Sequence, residues 1–346
     1  METRNRFYDK VKGEHRPEKV RLILLMDARF NHKNKLIGKK MMEFGEKHGL
    51  LAEEQYGSRK AKSAIEHALN KGLVIDIARQ QNRECVYIAN DAKSCYDRIL
   101  MMTAYLTMVQ HGIPEKVAMC TVSCIMEMEM KIRTKHRDSE VAYGGDKWIK
   151  LPHGCGQGNG YGPAIWACIS SPLLNILRRR GHRINITSPI TKEELTLGGI
   201  SFVDNTDTVE IQMRNEAWNT LFNRIQRGLD FWESRATGGA LEPSKSDWVQ
   251  IRYKWKHGEC KVVDRKGTEE LLVHNPAGEK EKLTQKLPSE ARETLGVWQN
   301  VMGTEEKQFK VLEEKIDTWG DNVKESSISR TNTRWAVNTT IGKKVR

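Results

Sequence analysis

The chain has 346 residues, 38% of them hydrophobic and 29% charged, and carries a formal net charge of +12 at pH 7. That length supports roughly two or three subdomains around a sizeable core. The composition excludes a membrane-spanning helix, because no apolar run reaches about 18 residues.

The positive charge recurs in "RKAK" (59–62), "KIRTKHR" (131–137), "RRRGHR" (178–183) and "RYKWKHGECK" (252–261). Any one cluster alone reads as a solvated surface. Together they suit a long polyanion, nucleic acid rather than an anionic membrane, better than a single phosphate. The seven cysteines form no CxxC pair, so zinc is not expected. Reduced thiols in an intracellular protein, nuclear or cytoplasmic, are the expectation, and the polar segment "METRNRFYDKVKGEHRPEKV" does not read as a secretory leader.

Residues 34–48 place Leu36, Ile37, Met41 and Phe44 near helical spacing, with Gly49 as the stop. Residues 59–81 read as a longer amphipathic helix with Ile65, Leu69 and Leu73 on one side. "CVYIAND" (85–91) changes the period: short, β-branched and aromatic, it is a strand that delivers Asp91 at its C-terminal tip. Helices are expected at about 97–110 and 115–130, followed by a hairpin around "YGGD" (143–146). "LPHGCGQGNGYGP" (151–163), with five glycines and two prolines, is a loop, and Pro163 opens an apolar helix. "GGISFVDNTDTVEI" (199–212) reads as strand, tight acidic turn and strand. A helix at about 215–235, the loop "ATGGALEPSKS" (236–246), the strand "DWVQIRYKW" (247–255) and "LGVW" (295–298) follow. Two helical stretches, one with Trp319 and one with Trp335, end the order. The succession implies an α+β fold whose antiparallel sheet presents Asp91 and the 204–207 turn.

If the strand ending at Asp91 lies beside the hairpin, the carboxylates of Asp91 and Asp204 converge from positions 113 residues apart. Crowded carboxylates are unfavourable unless a cation is bound. Hard oxygens recruit Mg2+, which completes its shell with water and substrate phosphates. Two such ions clamp the attacking and leaving oxygens of an in-line phosphoryl transfer. A Gly-rich turn running into a helix start permits close backbone approach to a nucleotide. Each piece has a plain structural reading as well: Asp97 as a helix N-cap, Asp-Asn-Thr-Asp as a good turn sequence. Their conjunction in this order favours the chemistry.

At this point the chain resembles the reverse transcriptases, specifically those of non-LTR retroelements. "DAKSCYD" (91–97) resembles their motif A, "GCGQGNGYGP" (154–163) motif B, and "FVDNTD" (202–207) the motif C hairpin. "ATGGALEPSKS" resembles motif D, "LGVW" the motif E grip, and "KVRLILLMDARFNHKNKLIGKKM" with "EQYGSRKAKSAI" the fingers motifs. The resemblance spans about residues 18–300 in the right order. It implies a right-hand polymerase fold: residues 1–82 as part of the fingers, 83–299 as a palm with inserted fingers elements, and 300–346 as the start of a thumb.

The resemblance further implies two Mg2+ ions, with Mn2+ as a substitute, held by Asp91, Asp204, Asn205 and the Ala92 carbonyl. Ser94 and Cys95 would offer backbone N–H groups to the incoming triphosphate, and Tyr96 would be a steric gate against a 2′-hydroxyl, although it reads equally as a core tyrosine. Gln157 and Gly158 would meet the nucleotide, Arg21 its phosphates, and Lys245 the departing pyrophosphate. The implied partners are an RNA template, a DNA primer and dNTPs, without a membrane, in what is expected to be a fragment of a longer retroelement polyprotein.

Asn205 departs from the pattern, standing where motif C has its second carboxylate. An amide oxygen still coordinates Mg2+ but lacks the charge that draws the ion in, so an impaired polymerase is expected. Two other readings compete: a catalytically inactive palm kept for binding nucleic acid, and a viral RNA-dependent RNA polymerase. The latter usually carries Asp where Tyr96 stands.

Overall fold

The computed structural model describes residues 2–9, 20–134, 137–144, 154–182, 184–188, 190–233, 240–275 and 278–337, with backbone alone for 2–9, 20–22 and 143. In chain order the elements are β1 (Glu2–Asp9), β2 (Val20–Leu25), α1 (Ala28–Lys47), α2 (Ala64–Gln80), β3 (Cys85–Asp91), α3 (Met101–Gln110), α4 (Glu115–Met126), β4 (Glu129–Arg133) and β5 (Tyr143–Gly144). Then come α5 (Gly162–Arg179), β6 (Ile184–Thr187), β7 (Glu194–Leu197), β8 (Ile200–Phe202), β9 (Asn205–Ile211), α6 (Trp218–Trp232), β10 (Asp247–Ile251), β11 (Tyr253–Lys256) and β12 (Glu259–Val262). The last are β13 (Leu272–His274), β14 (Lys280–Lys282), β15 (Thr284–Gln285), β16 (Arg292–Thr294), β17 (Val297–Gln299), α7 (Glu306–Glu325) and α8 (Arg330–Ala336). Among the described residues no helix is long and apolar enough to cross a membrane.

The fold is α+β, and its centre is the sheet β15-β10-β3-β9-β8. β3 runs antiparallel to both β9 and β10. Six of its seven residues are buried, because both faces of the sheet are covered. Val86 and Ile88 point into one core with Leu174, Leu221, Ile225 and Trp248. Cys85, Tyr87 and Ala89 point into another with Val74, Ile75 and Ala78 of α2. That is the period-2 alternation of a strand with two apolar faces. A third core gathers Ile37, Met41, Met108, Val122, Tyr161 and Ile165 where α1, α3, α4 and α5 meet. A second sheet, β2-β1-β4-β5, pairs β1 antiparallel with β2 and parallel with β4.

Several elements differ from the sequence expectation, each for a local reason. α1 begins at Ala28 because the Asp27 carboxylate caps the N–H groups of Arg29 and Phe30 at 3.0 Å. α2 begins at Ala64, not at 59, because Ser63 and Glu66 form a reciprocal capping box. Its expected apolar side faces outward: Ile65, Leu69 and Leu73 are 60%, 57% and 47% exposed. The buried side holds His67, Ala68, Lys71, Val74, Ile75 and Ala78, and its two polar members have buried partners described below. The helix expected at 97–110 is interrupted by extended Ile99 and Leu100, which separate a 3-10 turn (Cys95–Arg98) from α3. The helix expected at 115–130 stops at Met126, and Glu129 enters β4 beside β1. The strand expected at 247–255 breaks at Arg252, whose guanidinium meets Glu84 at 3.0 Å. "LGVW" forms the tip and second strand of the β16–β17 hairpin, with Leu295 and Gly296 both at positive φ as a type I′ turn requires. Trp319 lies in α7 and Trp335 in α8, the two expected C-terminal helices. Residues 145–146, 151–153 and 236–239 of the expected loops, and 234–235 of the helix expected at about 215–235, lie outside the described residues.

Candidate active site

β3 ends on Asp91, and the antiparallel register places Asn205 directly opposite it. The β8–β9 turn is Val203-Asp204, flanked by the pair Phe202 and Asn205. A backbone hydrogen bond from the Ala92 N–H to the Asp204 carbonyl, 2.9 Å, ties the turn to the strand end. Asp91, Asp204 and Asn205 therefore converge, and buried Ala92 joins them. The Asn205 amide donates to Asp204 Oδ1 at 3.4 Å.

The segment 240–246 lies along the same strand end. The Lys93 N–H donates to the Ala240 carbonyl, the Glu242 N–H to the Asp91 carbonyl, and the Asp91 N–H to Ser246 Oγ. This brings Lys245 Nζ to 3.5 Å from Asp91 Oδ2, on a side chain that is 54% exposed. Burial pushes the Asp91 carboxyl above its ordinary value; Lys245 opposes the rise, and Asp204 and Glu242 add to it.

Tyr96 sits in the 3-10 turn, half-buried against the α1–α3–α4–α5 core. Gly162, at the start of α5, lies close enough that a Cβ there would touch the Tyr96 ring at 3.4 Å. Burial raises the Tyr96 hydroxyl, and the charges of Cys95 and Asp204 raise it further. Cys95 is buried, and burial followed by Asp204 pushes its thiol up. Ser94 is exposed and left-handed at φ 47.

The Gly-rich loop is clasped from two sides. The Gly154 and Cys155 N–H groups donate to the Ile99 and Tyr96 carbonyls. The Leu24 N–H donates to the Gln157 carbonyl at 2.7 Å, and Gly158, at φ +101, lies where a Cβ would fall 2.7 Å from the Leu24 oxygen. Asn31 bonds both the Gly158 carbonyl and the Gly160 N–H, and Asn34 bonds Asn159. The hydrogen bonds of Gln157 and Gly158 thus run to β2 and α1. Arg21 lies in β2, and its side chain lies outside the described residues.

Asp207, two residues beyond Asn205, is engaged elsewhere. Its carboxylate is 3.1 Å from Lys71 Nζ and accepts the Tyr87 hydroxyl at 2.9 Å. Burial alone would raise it, but Lys71, His67 and Arg292 together with Tyr87 hold it below its ordinary value.

The sequence reading missed Gln55 and Trp166, which hold the turn itself. Gln55 Oε1 accepts the Val203 N–H at 3.1 Å, and Trp166 Nε1 donates to the Val203 carbonyl at 2.5 Å. Neither carries a spacing signal, since each touches backbone. The quoted "EQYGSRK" stretch contains Gln55 without singling it out.

Among the described residues no three His, Cys, Asp or Glu side chains form a metal-holding group. The donor set at the turn is two carboxylates and one amide. Asp91 and Asp204 repel each other, and a largely solvated Lys245 offsets that repulsion in part. Hard oxygens with surplus negative charge fit a Mg2+-class cation, with less charge than three carboxylates would supply.

The family model for reverse transcriptase (RNA-dependent DNA polymerase) matches residues 9–196, more than half of the chain, and stops short of the 202–207 hairpin. Comparison with curated proteins finds no match. Among solved structures, the chain is similar to apo telomerase from Candida Tropicalis truncated from its C-terminal domain, at 11% identity and TM-score 0.43 over 81% of this chain and 55% of that one. It is similar to Candida Tropicalis telomerase with a TWJ fragment of telomeric RNA, at 11% identity and TM-score 0.46 over 81% of this chain and 44% of that one. The corresponding Candida albicans complex gives 9% identity and TM-score 0.43 over 81% and 45%. The chain spans about half the length of these telomerase chains.

Proposed function

We propose that this chain, which belongs to the reverse transcriptase (RNA-dependent DNA polymerase) family, is the polymerase part of a non-LTR-type retroelement protein. In this reading it extends a DNA primer on an RNA template, with dNTPs as substrates, at the Asp91–Asp204 pair. The observation that carries the reading is the β3–β9 register, which sets Asp91 opposite Asn205 and bonds Ala92 to Asp204. Residues 1–82 then act as fingers, 83–299 as palm with inserted fingers elements, and 300–346 as the start of a thumb.

Asp91, Asp204, Asn205 and the Ala92 carbonyl would hold the metal ions. When bound, two Mg2+ ions stabilise the attacking and leaving oxygens of an in-line displacement. Tyr96 closes the sugar side of the nucleotide site against a 2′-hydroxyl. Gln157 and Gly158 border the nucleotide, Ser94 and Cys95 present backbone N–H groups to its phosphates, and Arg21 adds a cation. Lys245, whose exposed ammonium lies 3.5 Å from Asp91, would give a proton or a charge to the departing pyrophosphate.

Asn205 keeps a donor oxygen but removes one negative charge. Extension of oligo(dT) on poly(rA) is therefore expected to be weak with Mg2+ and stronger with Mn2+, which binds a given N/O site more tightly than Mg2+. Asn205→Asp is expected to restore Mg2+-dependent synthesis, by restoring charge at the ion. A second reading, a palm retained for binding nucleic acid without catalysis, is favoured by that same missing charge. Folded Asn205→Asp protein that binds duplex but extends no primer with either metal would put the second reading first.

A further inference from the structure

Val203 has φ +56, a left-handed backbone that is an outlier for a β-branched residue. It is the first residue of a two-residue hairpin turn, a position at which glycine, asparagine or aspartate is usual. Three contacts from two other segments enclose it. The Gln55 side chain accepts its N–H, and the Trp166 indole donates to its carbonyl. Gly57 packs against it so closely that a Cβ there would stand 2.4 Å from the Val203 nitrogen.

Gln55 is itself fixed. It is fully buried, its Nε2 donates to Ser170 Oγ at 2.9 Å and to Ser201 Oγ at 3.3 Å, and its Oε1 also accepts the Gly57 N–H. Ser170 and Trp166 both belong to α5, so the helix that follows the Gly-rich loop grips the acidic turn directly. The two peptide planes flanking Val203 are each held by one side chain, and the second of those planes carries the nitrogen of Asp204.

We propose that Gln55 and Trp166 are positioning residues for Asp204: they hold Val203 in its strained conformation and so aim the Asp204 carboxylate at Asp91. The proposal rests on the polymerase reading for its purpose, and on the geometry of the turn for its existence.

The test is a cycle of Trp166→Phe, which keeps a ring and removes the donor, with Val203→Gly, which removes the strain. Amide hydrogen exchange across Phe202–Asn205 reads the turn, and Mn2+ titration in Asn205→Asp protein reads the aim of Asp204. Trp166→Phe is expected to raise exchange at the turn and to weaken Mn2+ binding, each by about tenfold, as loss of one hydrogen bond allows. Val203→Gly added to it is expected to reverse most of both effects, because glycine holds positive φ without a clamp.

Unchanged exchange in Trp166→Phe, or a loss that Val203→Gly does not relieve, overturns the proposal. If Trp166→Phe folds only when Val203→Gly is present, the clamp stands. If neither combination folds, Trp166 is a packing residue and the proposal falls. Absence of Mn2+ binding in every form counts against the polymerase reading, and the exchange result then decides the clamp alone.

Discussion

His67 shows what burial does to a single side chain. It is fully buried, and its Nε2 lies 3.0 Å from the Ile200 carbonyl, so the neutral ring donates there. Burial pushes the imidazole below its ordinary value; Asp207 opposes that shift, and Lys71 adds to it. Below about pH 6.5 the unfolded chain accepts a proton that the folded ring refuses until a lower pH. The unfolded state then binds more protons, so stability falls as pH drops through that window, by at most about 1.4 kcal/mol per pH unit. His67→Gln, which keeps a donor, is expected to flatten this part of the profile in urea melts at pH 7.5, 6.5 and 5.5; an unchanged slope would assign it to other groups. Tyr96 gives the second residue-scale prediction. In whichever form polymerises, Tyr96→Ala is expected to raise ribonucleotide incorporation relative to deoxyribonucleotide, and no rise would remove the gate role. The meeting of Asp91 with the 204–205 turn was legible in the sequence, because a strand pattern ends on that carboxylate and a second pair of strand patterns flanks the acidic turn. Gln55 and Trp166 were not, because a side chain that grips a peptide group leaves no pattern in spacing.

At the scale of the element, α2 was legible as a helix and misread as to its face. The apolar period selected Ile65, Leu69 and Leu73, whereas the buried face combines Ala68, Val74, Ile75 and Ala78 with the polar His67 and Lys71. Lys71, only 6% exposed, meets Asp207 at 3.1 Å and donates to Thr294 Oγ1 of β16 at 3.0 Å. Pattern counting assigns a lysine to solvent and cannot see a buried partner 136 residues away. Lys71→Met is expected to cost about 3–5 kcal/mol, since it strands a buried carboxylate. Lys71→Met combined with Asp207→Leu is expected to recover most of that loss in urea unfolding. If the double variant is as unstable as the single, the pair is not what seats α2. β3 was legible for the opposite reason, since a short β-branched run buried on both faces leaves few alternatives. β4 was hidden because "EMKIR" continues the helical composition before it.

Across the whole molecule, a net charge of +12 predicts salt-sensitive binding to an RNA–DNA duplex. Some of the positive charge in the basic clusters is engaged internally: Arg59 pairs with Glu46, Arg133 with Asp138, Arg178 with Glu54 and Arg252 with Glu84. Each quoted basic cluster thus reaches the surface with less charge than its letters suggest. If about four phosphates are neutralised, affinity measured by anisotropy is expected to fall roughly a hundredfold between about 50 and 200 mM salt. A flat response would reduce the clusters to a solvated surface. The overall α+β class was legible from the order of periods and glycine-rich turns, but the partners of β1 were not. Its parallel mate β4 lies more than a hundred residues away, and strand pairing at that distance is set by packing.

The central position of β3 has a consequence during synthesis. Its neighbours β9 and β10 begin 114 and 156 residues after Asp91. At about 5–20 residues per second, β9 follows roughly 6–23 s later and β10 roughly 8–31 s later. Through that interval the nascent chain carries a strand with two apolar faces and two open edges, the combination most prone to pair with a neighbouring chain. The soluble yield of this protein is therefore expected to respond to temperature, elongation rate and whatever shields Val86, Tyr87 and Ile88 before its acidic turn has been translated.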